Sequence, residues 1–245
     1  MAVEEISMPQ TLPLKKALSW RNGATDVMAV VVMTFCCVAT GASLKPGVAS
    51  GDPLDEAGES ACPLNGILHN QLPGSASTDA ITSQNFGLAN YDSAAADDFV
   101  VPAGTNWRIK AVRVRGVYFN GTGPTPTVDV TFYTKNGVLP GNVVCSYPNM
   151  VPIPWPNPPA PGNLRVNNLN CTLPSGSYFV SVVANMNIGV GQWGWRLQPA
   201  QNFDPAAWRN PGGGFSIGCP VWGNMAACLG VSSPDLAFSL RGCTF

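Results

Sequence analysis

From residue 99 to the end of the chain, apolar side chains recur at every second position in short runs divided by Gly, Pro and Asn. Residues that alternate in this way lie on opposite faces of an extended backbone, so each run can bury one face only as a strand within a sheet. Between Ile109 and Phe119 the pattern puts Val112, Val114 and Tyr118 on one side of a strand, with Arg113 and Arg115 on the other. Val128, Val130 and Phe132 alternate with Asp129, Thr131 and Tyr133, and Leu236, Phe238 and Leu240 with Ala237, Ser239 and Arg241. The stretch from Tyr178 to Ala184 is rich in β-branched and aromatic residues. Turn signals stand between these runs: Asn120-Gly121, Asn136-Gly137, Pro140-Gly141, Pro174-Ser175-Gly176 and Pro211 followed by glycines. No stretch after residue 60 carries an amphipathic helical repeat longer than about three turns. The fold class expected is all-β: an antiparallel β-sandwich of jelly-roll type.

The amino-terminal part has a different character. Lys15, Lys16 and Arg21 precede an uncharged apolar run from Val27 to Ala39, and the small residues Thr40, Gly41 and Ala42 follow. That order describes a secretory signal peptide over residues 1–42. Thirteen residues from Val27 to Ala39 span about 20 Å as a helix, short of a hydrocarbon layer about 30 Å thick, so no stable membrane span is expected after signal removal. Cys36 and Cys37 belong to this segment. Residues 43–60 hold Gly, Pro, Ser and four acids with few large apolar side chains, as a flexible linker does, leaving 61–245 as one sandwich domain.

Six cysteines remain in that domain, an even number in a chain read as exported, and three disulfides follow. Cys219 and Cys228 bracket one short loop, Cys145 and Cys171 a proline-rich loop, and Cys62 and Cys243 the two ends of the domain; these are the expected pairs. The segment Pro152 to Pro161, with six prolines in ten residues, reads as an extended surface loop. No CxxC occurs and His69 is isolated, which argues against zinc.

Composition removes several function classes. Thirteen Lys and Arg against fourteen Asp and Glu provide no charge basis for nucleic-acid binding. His69 is the only imidazole, no glutamate follows Glu59 and no nucleophile-elbow sequence is present, so a Ser-His-Asp enzyme lacks its parts. His69 reads as a surface side chain and no catalytic residue is assigned. Asp97 and Asp98 before Phe99, at the expected start of a strand, and Asp235 at the opening of the last strand, are candidate ligands for calcium, which takes six to eight oxygens. The alternative is that each caps a turn through its own backbone.

Trp193, Trp195, Trp208 and Trp222 crowd the second half of the chain, with Arg196, Asn210 and Asn224 beside them. Flat aromatic faces stack on sugar rings, and these polar neighbours can bind hydroxyls. Trp193 and Trp195 share a strand face with Leu197, the arrangement of a core. Trp208 and Trp222, in Gly/Asn/Pro-rich surroundings, are the better ligand candidates.

Four motifs, Tyr91 to Val101 (YDSAAADDFVV), Gly137 to Gly141 (GVLPG), Gln192 to Trp195 (QWGW) and Pro234 to Leu240 (PDLAFSL), together resemble a secreted bacterial β-sandwich domain found alone or appended to exported peptidases and surface proteins. The resemblance covers about residues 77 to 243 and implies export, a sandwich architecture and an accessory or surface role. It supplies no catalytic residues. The function expected is a non-enzymatic secreted or cell-surface binding module for carbohydrate or another extracellular-surface ligand. The rivals are a secreted hydrolase using aspartates and a purely structural surface protein.

Overall fold

The computed structural model describes residues 62, 64, 66–72, 79–156 and 160–245. The expected signal peptide, with Cys36 and Cys37, and the linker lie outside the described residues. β1 (Ile67–Asn70), β2 (Ala80–Thr82), β3 (Gln84–Asn85), β4 (Ala94–Val101), β5 (Trp107–Val114) and β6 (Gly116–Phe119) come first. β7 (Thr127–Asn136), β8 (Leu139–Met150), β9 (Ile153–Pro154), β10 (Leu164–Val166), β11 (Cys171–Leu173) and β12 (Gly176–Asn185) follow. The chain then passes through β13 (Gln192–Gln198), β14 (Ala207–Arg209), β15 (Gly223–Asn224), the helix α1 (Met225–Leu229), β16 (Asp235–Leu236) and β17 (Phe238–Thr244).

These strands form an antiparallel β-sandwich. A six-stranded sheet runs β1-β17-β5-β10-β9, with β11 also on β5, and a seven-stranded sheet runs β15-β14-β4-β12-β7-β8, with β3 on β12. A smaller sheet, β16-β13-β2 with β6 on β13, completes the body. Among the described residues only the β3 and β12 pair is parallel. Val112, Val114, Phe238 and Leu240 of the six-stranded sheet share one buried cluster with Phe99, Val130, Phe132, Val180 and Val182 of the seven-stranded sheet. Here the period-two pattern does its physical work: the apolar set of each strand leaves water against the other sheet.

Two runs that read as single strands are each divided between sheets. The run from Ile109 to Phe119 breaks after Arg115, β5 staying in the six-stranded sheet while β6 pairs with β13. Gly116 marks the break, because a Cβ there would stand 2.4 Å from the indole Nε1 of Trp193 and 2.5 Å from the Gly162 carbonyl oxygen. The last run breaks at Ala237, with β16 on β13 and β17 on β5. A third departure concerns β4, which starts at Ala94 rather than Phe99, so Asp97 and Asp98 are mid-strand. Three alanines open that strand and mask its alternation.

All three expected disulfides are formed, with Cα separations of 5.3 Å for Cys62–Cys243, 6.0 Å for Cys145–Cys171 and 5.9 Å for Cys219–Cys228. The middle one joins β8 of the seven-stranded sheet to β11 of the six-stranded sheet, a covalent tie across the sandwich. No helix among the described residues is long and apolar enough to cross a membrane.

Candidate functional site

The outward face of the seven-stranded sheet is where polar side chains gather without covering one another. On β7, Asp129, Thr131 and Tyr133 point away from the core, opposite in parity to the buried Val128, Val130 and Phe132. The register sets Asp129 beside Val183 and Thr131 beside Ser181 at one side, and Arg209 beside Ala94 at the other, so that the short side chains Ala94, Ser181 and Val183 lie between them. Short side chains in the middle and longer ones at the edges make a groove. Asn85, Asp92, Asp129, Thr131, Tyr133, Ser181 and Arg209 line it, and its volume is about 180 Å³.

Each end of the groove has one strong polar group. At the β7 end, Asp129 Oδ1 accepts hydrogen bonds from the Asn149 amide N–H (2.8 Å) and from Asn185 Nδ2 (2.7 Å), while no described residue donates to Oδ2. Asn185 is held in turn by Asn85, whose Nδ2 donates to Asn185 Oδ1 at 2.6 Å. At the β14 end, the Arg209 guanidinium lies 4.4 Å from the ring centroid of Trp222, which itself meets Tyr133 edge-on at 5.8 Å. The stack holds Arg209 in place by cation–π attraction, and no described residue accepts from its N–H donors. From β7 to β14 is three strand spacings, roughly 14 Å between backbones, and both side chains line the space between.

The residues singled out from sequence fall in different places. Trp222 adjoins this groove through its contacts with Arg209 and Tyr133, but as a support for Arg209 rather than an open stacking platform. Trp208 is a correction: it has no exposed surface, faces inward from β14 and donates from Nε1 to the Thr82 carbonyl at 2.9 Å, so no ligand can stack on it. Asn210 is likewise fully buried, donating to the Asn90 and Asp92 carbonyls and accepting from the Phe215 N–H. Asn224 caps α1 by accepting from the Ala227 N–H. Trp193 and Trp195 are core residues, bonded to the Gly162 and Ala237 carbonyls. Arg196 is half-buried on β13 and donates to the Gly116 carbonyl.

The three aspartates considered for calcium approach one another but face different surroundings. Adjacent residues of a strand point to opposite faces, which sends Asp97 inward and Asp98 outward from β4. Asp97 accepts from Gln71 Nε2 at 2.5 Å, the Leu236 N–H at 2.7 Å and the Asp98 N–H at 2.9 Å. Hydrogen-bond donors therefore occupy both Asp97 oxygens, whereas Asp98 Oδ1 and Asp235 Oδ1 are buried with no hydrogen-bond partner among the described residues; no three His, Cys, Asp or Glu side chains of the described residues group as a metal site. Asp98 accepts from the Asp204 N–H and faces Lys135 at 4.0 Å, while Asp235 accepts from the Asn202 N–H. Burial, countered in part by Lys135, pushes the Asp98 carboxyl up to about 7, and burial raises Asp235 to about 6. Burial and the Asp235 carboxylate hold Asp97 well above the usual aspartate range.

All three of these carboxyls are fully buried, and none lines the groove. They fasten strands instead: through Asp97 the chain before β2 is tied to β16, and through Asp235 and Asp98 the residues after β13 are tied to two strands. His69 is also not a surface side chain. It is half-buried 5.0 Å from the Phe238 ring, and burial lowers its pKa. Gln71 donates its amide to Asp97 and to the Leu236 carbonyl, so its oxygen must accept from His69 Nε2–H at 2.8 Å.

Asp129, Thr131 and Tyr133 were visible in the sequence as the polar half of an alternating strand, while Arg209 carried no signal of its own. Comparison with protein-family models, curated proteins and solved structures finds no match.

Proposed function

We propose that the chain is a secreted, non-enzymatic binding module that takes a carbohydrate ligand in the groove between Asp129 and Arg209. The observation that carries this reading is the placing of the Asp129 carboxylate and the stacked Arg209 guanidinium on the lining of one groove, each with polar atoms that no described residue hydrogen-bonds. Sugar hydroxyls both donate and accept, and a trough offering an acceptor at one end and donors at the other suits them. The volume is below the usual range for a drug-sized ligand, which favours a single ring lying in an open trough. Export is supported by the three disulfides, which persist in oxidising compartments, together with the leader read from the sequence. Membership in the jelly-roll domain family of exported bacterial proteins is part of the same proposal.

Binding to a glycan array and to insoluble polysaccharides tests it, comparing the wild type with Asp129→Asn, Arg209→Gln and Trp222→Ala. The expectation is binding that weakens at least tenfold in Asp129→Asn and Arg209→Gln while the fold is retained. Equal binding by all variants overturns the site. Release of sugar fragments by the wild type, abolished in Asp129→Asn, would replace the reading with hydrolysis.

A further inference from the structure

The outward face of the other sheet carries a second, differently built arrangement. Five of the nine Lys and Arg in the described chain, Arg108, Lys110, Arg113, Arg165 and Arg241, stand on strands of the six-stranded sheet, and those strands contain no Asp or Glu. Arg113 on β5 lies directly opposite Arg165 on β10 and, on its other side, directly opposite Ser239 on β17. Cross-strand partners share a face, and like charges placed directly opposite are destabilising.

The polar atoms of this row lack partners. Ser239 is fully buried with its Oγ unbonded, and the Nε atoms of Arg113 and Arg165 are buried without an acceptor. Among the described residues no carboxylate or carbonyl receives these three donors, which stand on three adjacent strands. Native proteins leave few such groups, and a run of them marks a position completed by water or an ion. Burial and the neighbouring Arg241 and Arg165 push the Arg113 guanidinium below its ordinary value, the electrostatic sign of crowded positive charge.

Beside the row is a cavity. Trp155 holds its ring 5.6 Å from the Arg113 guanidinium carbon and is fixed by a 2.7 Å hydrogen bond from Nε1 to the Leu164 carbonyl. The same indole, with Arg115, Asn163, Arg196 and Pro156, lines a space of about 350 Å³. Arg115 is two residues from Arg113 and therefore projects from the same side of the chain.

We propose that this face is a binding site for an acidic saccharide: a sulfate, phosphate or carboxylate group on the half-buried Arg113–Arg165 pair, with the sugar ring that bears it in the cavity against Trp155. Donors without acceptors select an oxyanion, and planar guanidinium groups bind one bidentately. A nucleic-acid strand would need cations spread along a track with several stacking platforms, whereas here two guanidinium groups stand directly opposite each other, one of them over a single indole. The site is separate from the Asp129–Arg209 groove and does not depend on it.

The test uses the full chain with its disulfides intact. Low-millimolar sulfate should raise the melting temperature of the wild type relative to chloride at matched ionic strength, and this difference should vanish in Arg113→Gln/Arg165→Gln. Without sulfate the double variant should melt no lower than the wild type, since a like-charge contact has been relieved. Retention on dextran sulfate or polygalacturonate should exceed retention on neutral dextran, and this excess should fall at least tenfold in the double variant. Should the double variant fail to fold, Arg165→Lys keeps the charge and loses the planar fork, and its sulfate response should be reduced. A sulfate response equal in wild type and variants overturns the site, and equal retention on a single-stranded oligonucleotide overturns the saccharide assignment.

Discussion

Trp208 and Trp222 stand fourteen residues apart in similar Gly- and Asn-rich surroundings, yet their fates differ completely. Trp208 falls on the inward parity of β14 and closes against Phe215, whose ring centroid is 6.1 Å away. Trp222 packs on the outward side against Tyr133 and Arg209. Replacing Trp208 by Ala should cost about 3–5 kcal/mol of stability, the usual loss when a buried large aromatic leaves a cavity, and chemical denaturation measures it. Trp222→Ala should cost less, about 1–2 kcal/mol, since Trp222 is only half-buried where it packs on Tyr133 and Arg209, and its effect should appear in groove binding as well. A sequence reading could weigh the tryptophans equally because parity, not neighbourhood, decides which side of a strand a residue takes.

At the level of the elements, the disulfide between β8 and β11 ties the two sheets at a place where the chain between them is the proline-rich segment. Closing a loop with 26 residues of separation removes unfolded-state entropy equivalent to roughly 3.5 kcal/mol. Cys145→Ser/Cys171→Ser should therefore lower the unfolding free energy by about 3 kcal/mol while leaving the strand spectrum unchanged. Circular dichroism with guanidinium titration checks both. The pairing was legible because the cysteines bracket loops in sequence. The breaks at Gly116 and Ala237 were not, since each strand's own pattern continues through the point where it changes sheet.

Across the whole molecule, buried carboxyls set the dependence of stability on pH. Asp97, Asp98 and Asp235 keep their protons to higher pH in the fold than in the unfolded chain, so above the ordinary aspartate value of 3.8 the native state binds the more protons. Their contribution to stability is complete below that value and is lost as pH rises through about 6 for Asp235 and about 7 for Asp98. His69 opposes this below its ordinary 6.5, because the fold resists the proton that the unfolded imidazole accepts. Three carboxyls outweigh one imidazole, and the melting temperature at pH 5 should exceed that at pH 8 by about 5 °C. Asp98→Asn should flatten the upper part of that slope, between pH 6 and about 7. A melting temperature that climbs steadily from pH 5 to 8 would show these groups to be ionised in the fold.

The alternating runs and their turns determined by themselves that the chain forms strands, and the spacing of six cysteines determined how it is tied. Both are local or nearly local properties: side-chain parity follows from backbone geometry, and the cysteines bracket segments of chain. Neither says which strand lies beside which. Only the packed sandwich brings Asp129 of β7 and Arg209 of β14 to the two sides of one groove, and Arg113, Arg165 and Ser239 into one row, because strand order and register are settled by the burial of both sheets together. The same packing hides Asp97, Asp98 and Trp208, whose residue types alone suggested exposure or chemistry.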